Sequence, residues 1–329
     1  MNLIDRFIKR LIKRFDCLDV ILCYHSLFSK TQTLDNISIK LLETGLDEGS
    51  FEKQILWLSN FASFVSLDEI VEEKSTKYPA CRVSITFDDG LKNNLTLGLP
   101  IFERYRIPVT IFVATDFVKD SSKIPWWHLV TYILSLWNDS FEIFFNNKIF
   151  VFDLKSNRGK NRFRAWSKEI FMSCQADKQA LLYDRMFEVL YKRFPITKNC
   201  FATPKDIRIA SQSPWLSFGG HTCSHLNLAC YKNEHYQDEI VNNKKLIERW
   251  TGQPVHWFAY PYGKSIHRNS TAIEALRRAG FSGAVTTDSA LINNYKNNFE
   301  LPRVPVASKR DIIYFKFYFL WTILRKIYS

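Results

Sequence analysis

No apolar run in this 329-residue chain reaches the roughly 17–25 residues that a bilayer-spanning helix needs. The opening segment, MNLIDRFIKRLIKRFDCLD, has positive charge but neither an unbroken apolar core nor a small-residue cleavage site. No secretory signal peptide is therefore expected. The seven cysteines are odd in number and irregular in spacing, which argues against a disulfide framework. Reduced thiols would fit a cytosolic location. No internal repeat and no low-complexity tract is present. The formal net charge is +12, yet no recognised nucleic-acid-binding motif accompanies it. A nucleic-acid partner is not expected, and an anionic membrane surface is the other partner such a charge suits.

Three segments carry chemistry. RVSITF (82–87) has the β-branched and aromatic content of a short buried strand. It runs into Asp88, Asp89 and Gly90. SFGGHTCSHLNL (217–228) holds His221 and His225, which a helical turn would bring to one face. Cys223 would then point elsewhere. Two imidazoles, one carboxylate and an open position make a catalytic rather than a structural metal site, with one carboxylate left over to act as a base. Each piece has a plainer reading. Asp at a strand end before Gly is ordinary turn chemistry, and two histidines at this spacing can be solvated or core residues. The third segment, HWFAYPYG (256–263), reads as a strand entering a rigid loop, with Pro261 and Tyr262 placed to wall a groove.

At these residues the chain resembles the polysaccharide deacetylases of the NodB-homology type, carbohydrate esterase family 4. TFDDG, HTCSH and YPYG match three motifs of that family in order. The resemblance implies a distorted (β/α) barrel, a divalent metal (usually zinc), and metal-assisted removal of acetyl groups from a sugar. By motif position Asp89, His221 and His225 would be metal ligands and Asp88 the general base. Two features depart from the pattern. Ala259 stands where the family has an arginine that orients the base, and no histidine follows His267. Arg303 in ELPRVPV is the candidate replacement, because a guanidinium holds a carboxylate with two hydrogen bonds. His25, in VILCYHSLF, is the candidate general acid, in the manner of the circularly permuted poly-N-acetylglucosamine deacetylases. The implied function is deacetylation (or deformylation) of an amino sugar in a glycan or lipid-linked precursor, in building or modifying surface polysaccharide. A degenerate glycan-binding barrel and an amide hydrolase on a non-sugar substrate are the alternatives.

The remaining pattern is α/β: strand–helix–strand alternation in a barrel over 18–310, interrupted by an insertion at about 120–203. Inside the insertion FEIFFNN and KIFVFD suggest a hairpin over Asn146-Asn147, followed by a basic helical segment. Trp126, Trp127 and His128 are candidates for a sugar-facing rim, with burial in the insertion's own small core the preferred reading for the tryptophans. Residues 1–17 spell a basic amphipathic helix. Its stripe, Ile4, Ile8, Leu11 and Phe15 among others, suits either a membrane surface or docking on the barrel. The aromatic C-terminal segment, 311–329, allows the same two readings.

Overall fold

The computed structural model describes residues 3–14, 18–29, 45–72, 81–173, 176–194, 200–231, 233–292, 297–306 and 311–327. Phe15 lies outside them. Eight parallel strands form one sheet: β1 (Leu18–Tyr24), β2 (Ser63–Phe64), β3 (Cys81–Phe87), β4 (Val109–Val113), β5 (Leu216–Gly220), β6 (Trp257–Ala259), β7 (Gly283–Val285) and β8 (Val304–Pro305). The spatial order is β7-β6-β5-β4-β3-β1-β8, with β2 beside the first half of β3. Every residue of β1, β3 and β4 is buried, as expected for parallel strands covered on both faces. The gap between β7 and β8 is narrowed by the segment before β8. Leu301 N–H donates to Ala284 O (3.0 Å) and its carbonyl accepts from Thr286 N–H (2.8 Å). The architecture is the expected distorted (β/α) barrel.

Register places the chemistry. Tyr24 pairs with Phe87 at the ends of β1 and β3, so His25 and Asp88 leave the sheet side by side. Val113 pairs with Gly220 and Gly220 with Phe258, so His221 and the 260–263 loop emerge on the same rim. A Cβ at Gly220 would meet Asn243 Oδ1 at 2.8 Å and the Phe258 ring at 2.9 Å, so only glycine fits there.

The insertion builds its own core. Helix α2 (Trp126–Leu136), the hairpin strands Ser140–Phe145 and Lys148–Asp153, helix α3 (Asn157–Phe171) and helix α4 (Ala176–Arg193) bury Phe141, Phe152, Phe163 and Met186 among others. The hairpin turns at Asn146 and Asn147, both left-handed (φ 50° and 58°), the conformation asparagine tolerates best. The basic segment is two helices rather than one. Gly159 lets α3 start tight against the hairpin, since a Cβ there would overlap Asp153 O.

The N-terminal helix α1 (Leu3–Ile12) does dock. Ile8, Leu11 and Ile12 are buried, and Asp5 accepts from Trp57 Nε1 (2.8 Å) and Lys316 Nζ (3.0 Å). Its apolar stripe is thus mostly covered by the C-terminal helix α5 (Ile312–Ile327) and the barrel. No helix among the described residues is long and apolar enough to cross a membrane. Cys23 and Cys223 are free thiols, but Cys230 is disulfide-bonded. The expectation of reduced cysteines fails at that position, although one bond is not a framework.

A buried ion pair pins β1 to β3: Arg82 Nη2 and Nε donate to Asp19 at 2.7 and 2.8 Å. Asp19→Asn should lower unfolding free energy by about 3 kcal/mol or more, because an unpaired guanidinium stays buried. Urea denaturation with an unchanged midpoint would contradict this.

Candidate active site

The strand ends converge on a cavity of about 740 Å³. His25, Asp88, Asp89, His221, His225 and Tyr262 all line it. Asp89 and Gly90 are both left-handed (φ 77° and 79°), which turns the chain sharply at the end of β3 and separates the two carboxylates. Asp89 Oδ1 lies 3.5 Å from His221 Nε2 and 3.6 Å from His225 Nε2. One ligand atom from each of the three residues falls within 4.8 Å of the others.

The two histidines do not share a helical turn. Thr222 and His225 are left-handed (φ 62° and 61°), so a bent loop brings the rings together, 4.8 Å apart and nearly perpendicular. The physical reason is that polar partners outside the loop hold it. Asn243 accepts from His221 N–H (3.1 Å) and donates to the Thr222 and Val113 carbonyls (2.6 and 2.9 Å). Glu239 accepts from Ser224 N–H and Oγ (2.9 and 2.7 Å). Cys223 does point away, to Asp238 O at 3.1 Å. Asn243 and Glu239 gave no sequence signal, being polar residues in a helical stretch.

His221 Nδ1 sits 2.7 Å from Ala259 O. A carbonyl can only accept, so Nδ1 carries a proton and Nε2 is the ring atom that faces the space shared with Asp89. His225 Nδ1 is buried without a hydrogen-bond partner among the described residues. Burial, then the nearby His221, pushes His225 down to about 3 and keeps it neutral. Burial opposes ionisation of Asp89, but a hydrogen bond from His221 leads the contributions that outweigh it and hold the carboxyl below its usual range. One ionised carboxylate and imidazole nitrogens facing a common centre fit a divalent cation.

Asp88 is held differently. Arg303 Nη1 and Nη2 donate to its two oxygens, each at 2.7 Å, and both side chains are buried. Arg303 Nε donates to Thr286 O (2.9 Å) and Nη1 to Thr86 Oγ1 (3.1 Å). Burial disfavours the charged form of Asp88, yet the guanidinium prevails and brings the carboxyl down to about 2. Cys23, His25 and Asp88 also cluster within 4.8 Å. The guanidinium already supplies the cation there, and burial pushes the Cys23 thiol up, so this second cluster is not a metal site.

The walls are aromatic. Trp127 and Tyr262 pack edge-on against His225, with ring centres 4.5 and 4.7 Å away. Trp126 Nε1 donates to Tyr262 Oη (3.0 Å) while its ring stacks on Phe171 of the insertion core. Both tryptophans are half-buried and line the cavity, so the insertion core accounts for only part of their placement. His128 also lines it. Pro261 is buried and does not line the cavity. Its place in the groove wall is a correction: Pro261 shapes the loop, and Tyr262 (φ 62°) faces the space. His267, not a site candidate from the sequence, lines it too.

Residues 75–135 and 185–284 match the family model for polysaccharide deacetylase. The chain carries a polysaccharide deacetylase domain. The two matched segments flank most of the insertion, which lies outside the family pattern. Poly-beta-1,6-N-acetyl-D-glucosamine N-deacetylase of Staphylococcus aureus is 33% identical over 97 residues, 29% of this chain. That stretch spans 31% of the relative's own length. The Staphylococcus epidermidis protein of the same name is 30% identical over 106 residues, 30% of this chain and 37% of that protein. Among solved structures, Streptococcus pyogenes deacetylase PplD in complex with acetate superposes with TM-score 0.58 at 16% identity, covering 94% of this chain and 99% of that one. IcaB from Ammonifex degensii gives 0.51 at 16%, covering 88% and 91%. These structural likenesses establish the fold.

Titrated with Zn²⁺ or Co²⁺, the metal-free protein should take up about one ion per chain. Asp89→Ala and His225→Ala should each weaken that affinity by at least the roughly 10–100-fold that losing an outer partner costs. Unchanged affinity in both variants, by calorimetry, would contradict the ligand set.

Proposed function

We propose that this polysaccharide deacetylase hydrolyses the N-acetyl (or formyl) group of an amino sugar in a glycan or lipid-linked glycan precursor. The observation that carries the reading is the pairing of an ionised, clamped Asp88 with a separate donor set, Asp89, His221 and His225, in one aromatic-walled cavity. A divalent cation held by that set, zinc by analogy with the family, would polarise the scissile carbonyl and acidify water.

The protein's own groups divide the remaining work. Asp88 stays ionised at neutral pH and accepts a proton from the attacking water. Its Oδ1 keeps a second lone pair beyond the Arg303 hydrogen bond, whereas Oδ2 also accepts from Cys23 Sγ at 3.5 Å. Arg303 fixes the carboxylate plane, so the base is oriented, and orientation is where much of the rate arises. The water oxygen bonds to the carbonyl carbon. A backbone N–H near Tyr262 would donate to the oxyanion. His25, the neighbour of Asp88 in register, gives its proton to the amine nitrogen as the C–N bond breaks. Acetate and a free amino sugar result. Trp126, Trp127 and Tyr262 offer ring faces and edges to the sugar. The complete donor set weighs against a binding-only barrel.

A membrane surface is the proposed place of action. Ile313, Phe317 and Trp321 recur every four residues on α5 and are about half exposed. Exposed Arg10 of the neighbouring α1, with Lys13 and Arg14 in the turn after it, adds positive charge. The stripe that meets lipid is thus on α5 rather than α1, whose own stripe is docked.

Asp88→Asn should release acetate from an N-acetylhexosamine oligomer about 100-fold or more slowly than wild type, with metal content unchanged. An Asn variant as active as wild type would overturn the role of Asp88. The protein should also sediment with anionic vesicles, and Phe317→Ser with Trp321→Ser should abolish this. Equal sedimentation by the double variant would remove the membrane contact.

A further inference from the structure

One helix face of the insertion has no part in the chemistry above. Along α3, Gly159, Phe163, Ser167 and Phe171 are buried in the insertion core. One residue further round, Lys160, Arg164 and Lys168 form a parallel stripe, and all three line the catalytic cavity. Lys264 joins them from the loop after Tyr262. Lys160 and Lys168 have no carboxylate partner among the described residues, and Arg164 donates only to the neutral Asn161 Oδ1 (3.1 Å). Lys264 is satisfied by Thr287 O at 2.7 Å, with Asp288 at 4.0 Å.

The cavity's described carboxylates are Asp88 and Asp89 alone. Asp88 is neutralised by Arg303 and Asp89 belongs to the donor set. The α3 cations therefore face a cavity with no negative charge left for them. They do not sit on the donor set itself. His225 touches Tyr262, Tyr262 packs 5.2 Å from the His267 ring, and burial with the charge of Lys168 depresses His267. Lys168 is thus near the His267 end, two ring contacts from the ligands. An anion bound there is not the acetate product. Three uncompensated cations on one face suit a group with more than one negative charge, as a phosphate or diphosphate has, better than a single carboxylate.

We infer that Lys160, Arg164 and Lys168 bind a phosphate or diphosphate carried by the substrate, so that this chain deacetylates an amino sugar linked to phosphate rather than a neutral polymer. The inference rests on the deacetylase reading. A nucleoside and a polyprenyl carrier present the same group, and the test separates them.

Acetate release by the metal-loaded, full-length protein is compared on three substrates: a neutral N-acetylhexosamine oligomer, a nucleoside diphosphate N-acetylhexosamine and a polyprenyl diphosphate N-acetylhexosamine in detergent. At least one diphosphate should exceed the neutral oligomer by about tenfold or more in kcat/KM, and the better arm identifies the carrier. The preference should weaken with added salt. It should fall to near one in the folded Lys160→Gln, Arg164→Gln, Lys168→Gln variant. A neutral substrate turned over as well as both diphosphates, or a preference that survives in the triple variant, overturns the inference. Acetate from no substrate would instead sink the deacetylase reading. Calorimetry with the nucleoside diphosphate sugar and the diphosphate lipid then still decides the wall. Wild type must bind at least one of them about tenfold more tightly than the triple variant, and equal binding of both overturns it.

Discussion

The buried pair between Asp88 and Arg303 is the constraint on which the site depends. Both groups are removed from water, so neither tolerates loss of the other. Asp88 ends the third strand and Arg303 precedes the last, so their contact ties the closing edge of the barrel to its centre. The same guanidinium reaches Thr286 O at the end of β7. Barrel closure and orientation of the Asp88 carboxylate are thus one interaction. Ala259, which stands at the position of the usual arginine, has a different use: its carbonyl sets the tautomer of His221.

The strand cores were legible in the sequence because buried parallel strands are continuous β-branched runs, as in RVSITF and VTIFV. Once β1 and β3 pair in register, His25 and Asp88 become neighbours, which one pass along the chain suggested only through resemblance. Arg303 was legible as the chemical complement of a carboxylate lacking its usual arginine. The path of the histidine loop was not. Spacing alone favours a helical turn, whereas Asn243 and Glu239, distant in sequence, hold the backbone in left-handed bends. Pro261 was misplaced for a similar reason, since a loop residue's direction depends on the φ of its neighbours. The stripe of α1 was visible, but its partner, the C-terminal helix, was not.

The insertion gives the site its character. Its separate aromatic core makes a cap, and the cap supplies Trp126, Trp127 and the cationic face of α3 to a cavity whose other walls come from the barrel. The family pattern covers the rim of the barrel and leaves the cap open, so under the proposed function the cap is where the carrier of the sugar would be distinguished.

The most direct test of the clamp is the Arg303→Lys variant, with kcat for acetate release and bound metal measured on the same folded sample. A lysine keeps the charge but cannot make the two-pronged contact. The account predicts that kcat falls by about 100-fold or more while one metal ion per chain is retained. A variant with wild-type kcat would contradict it.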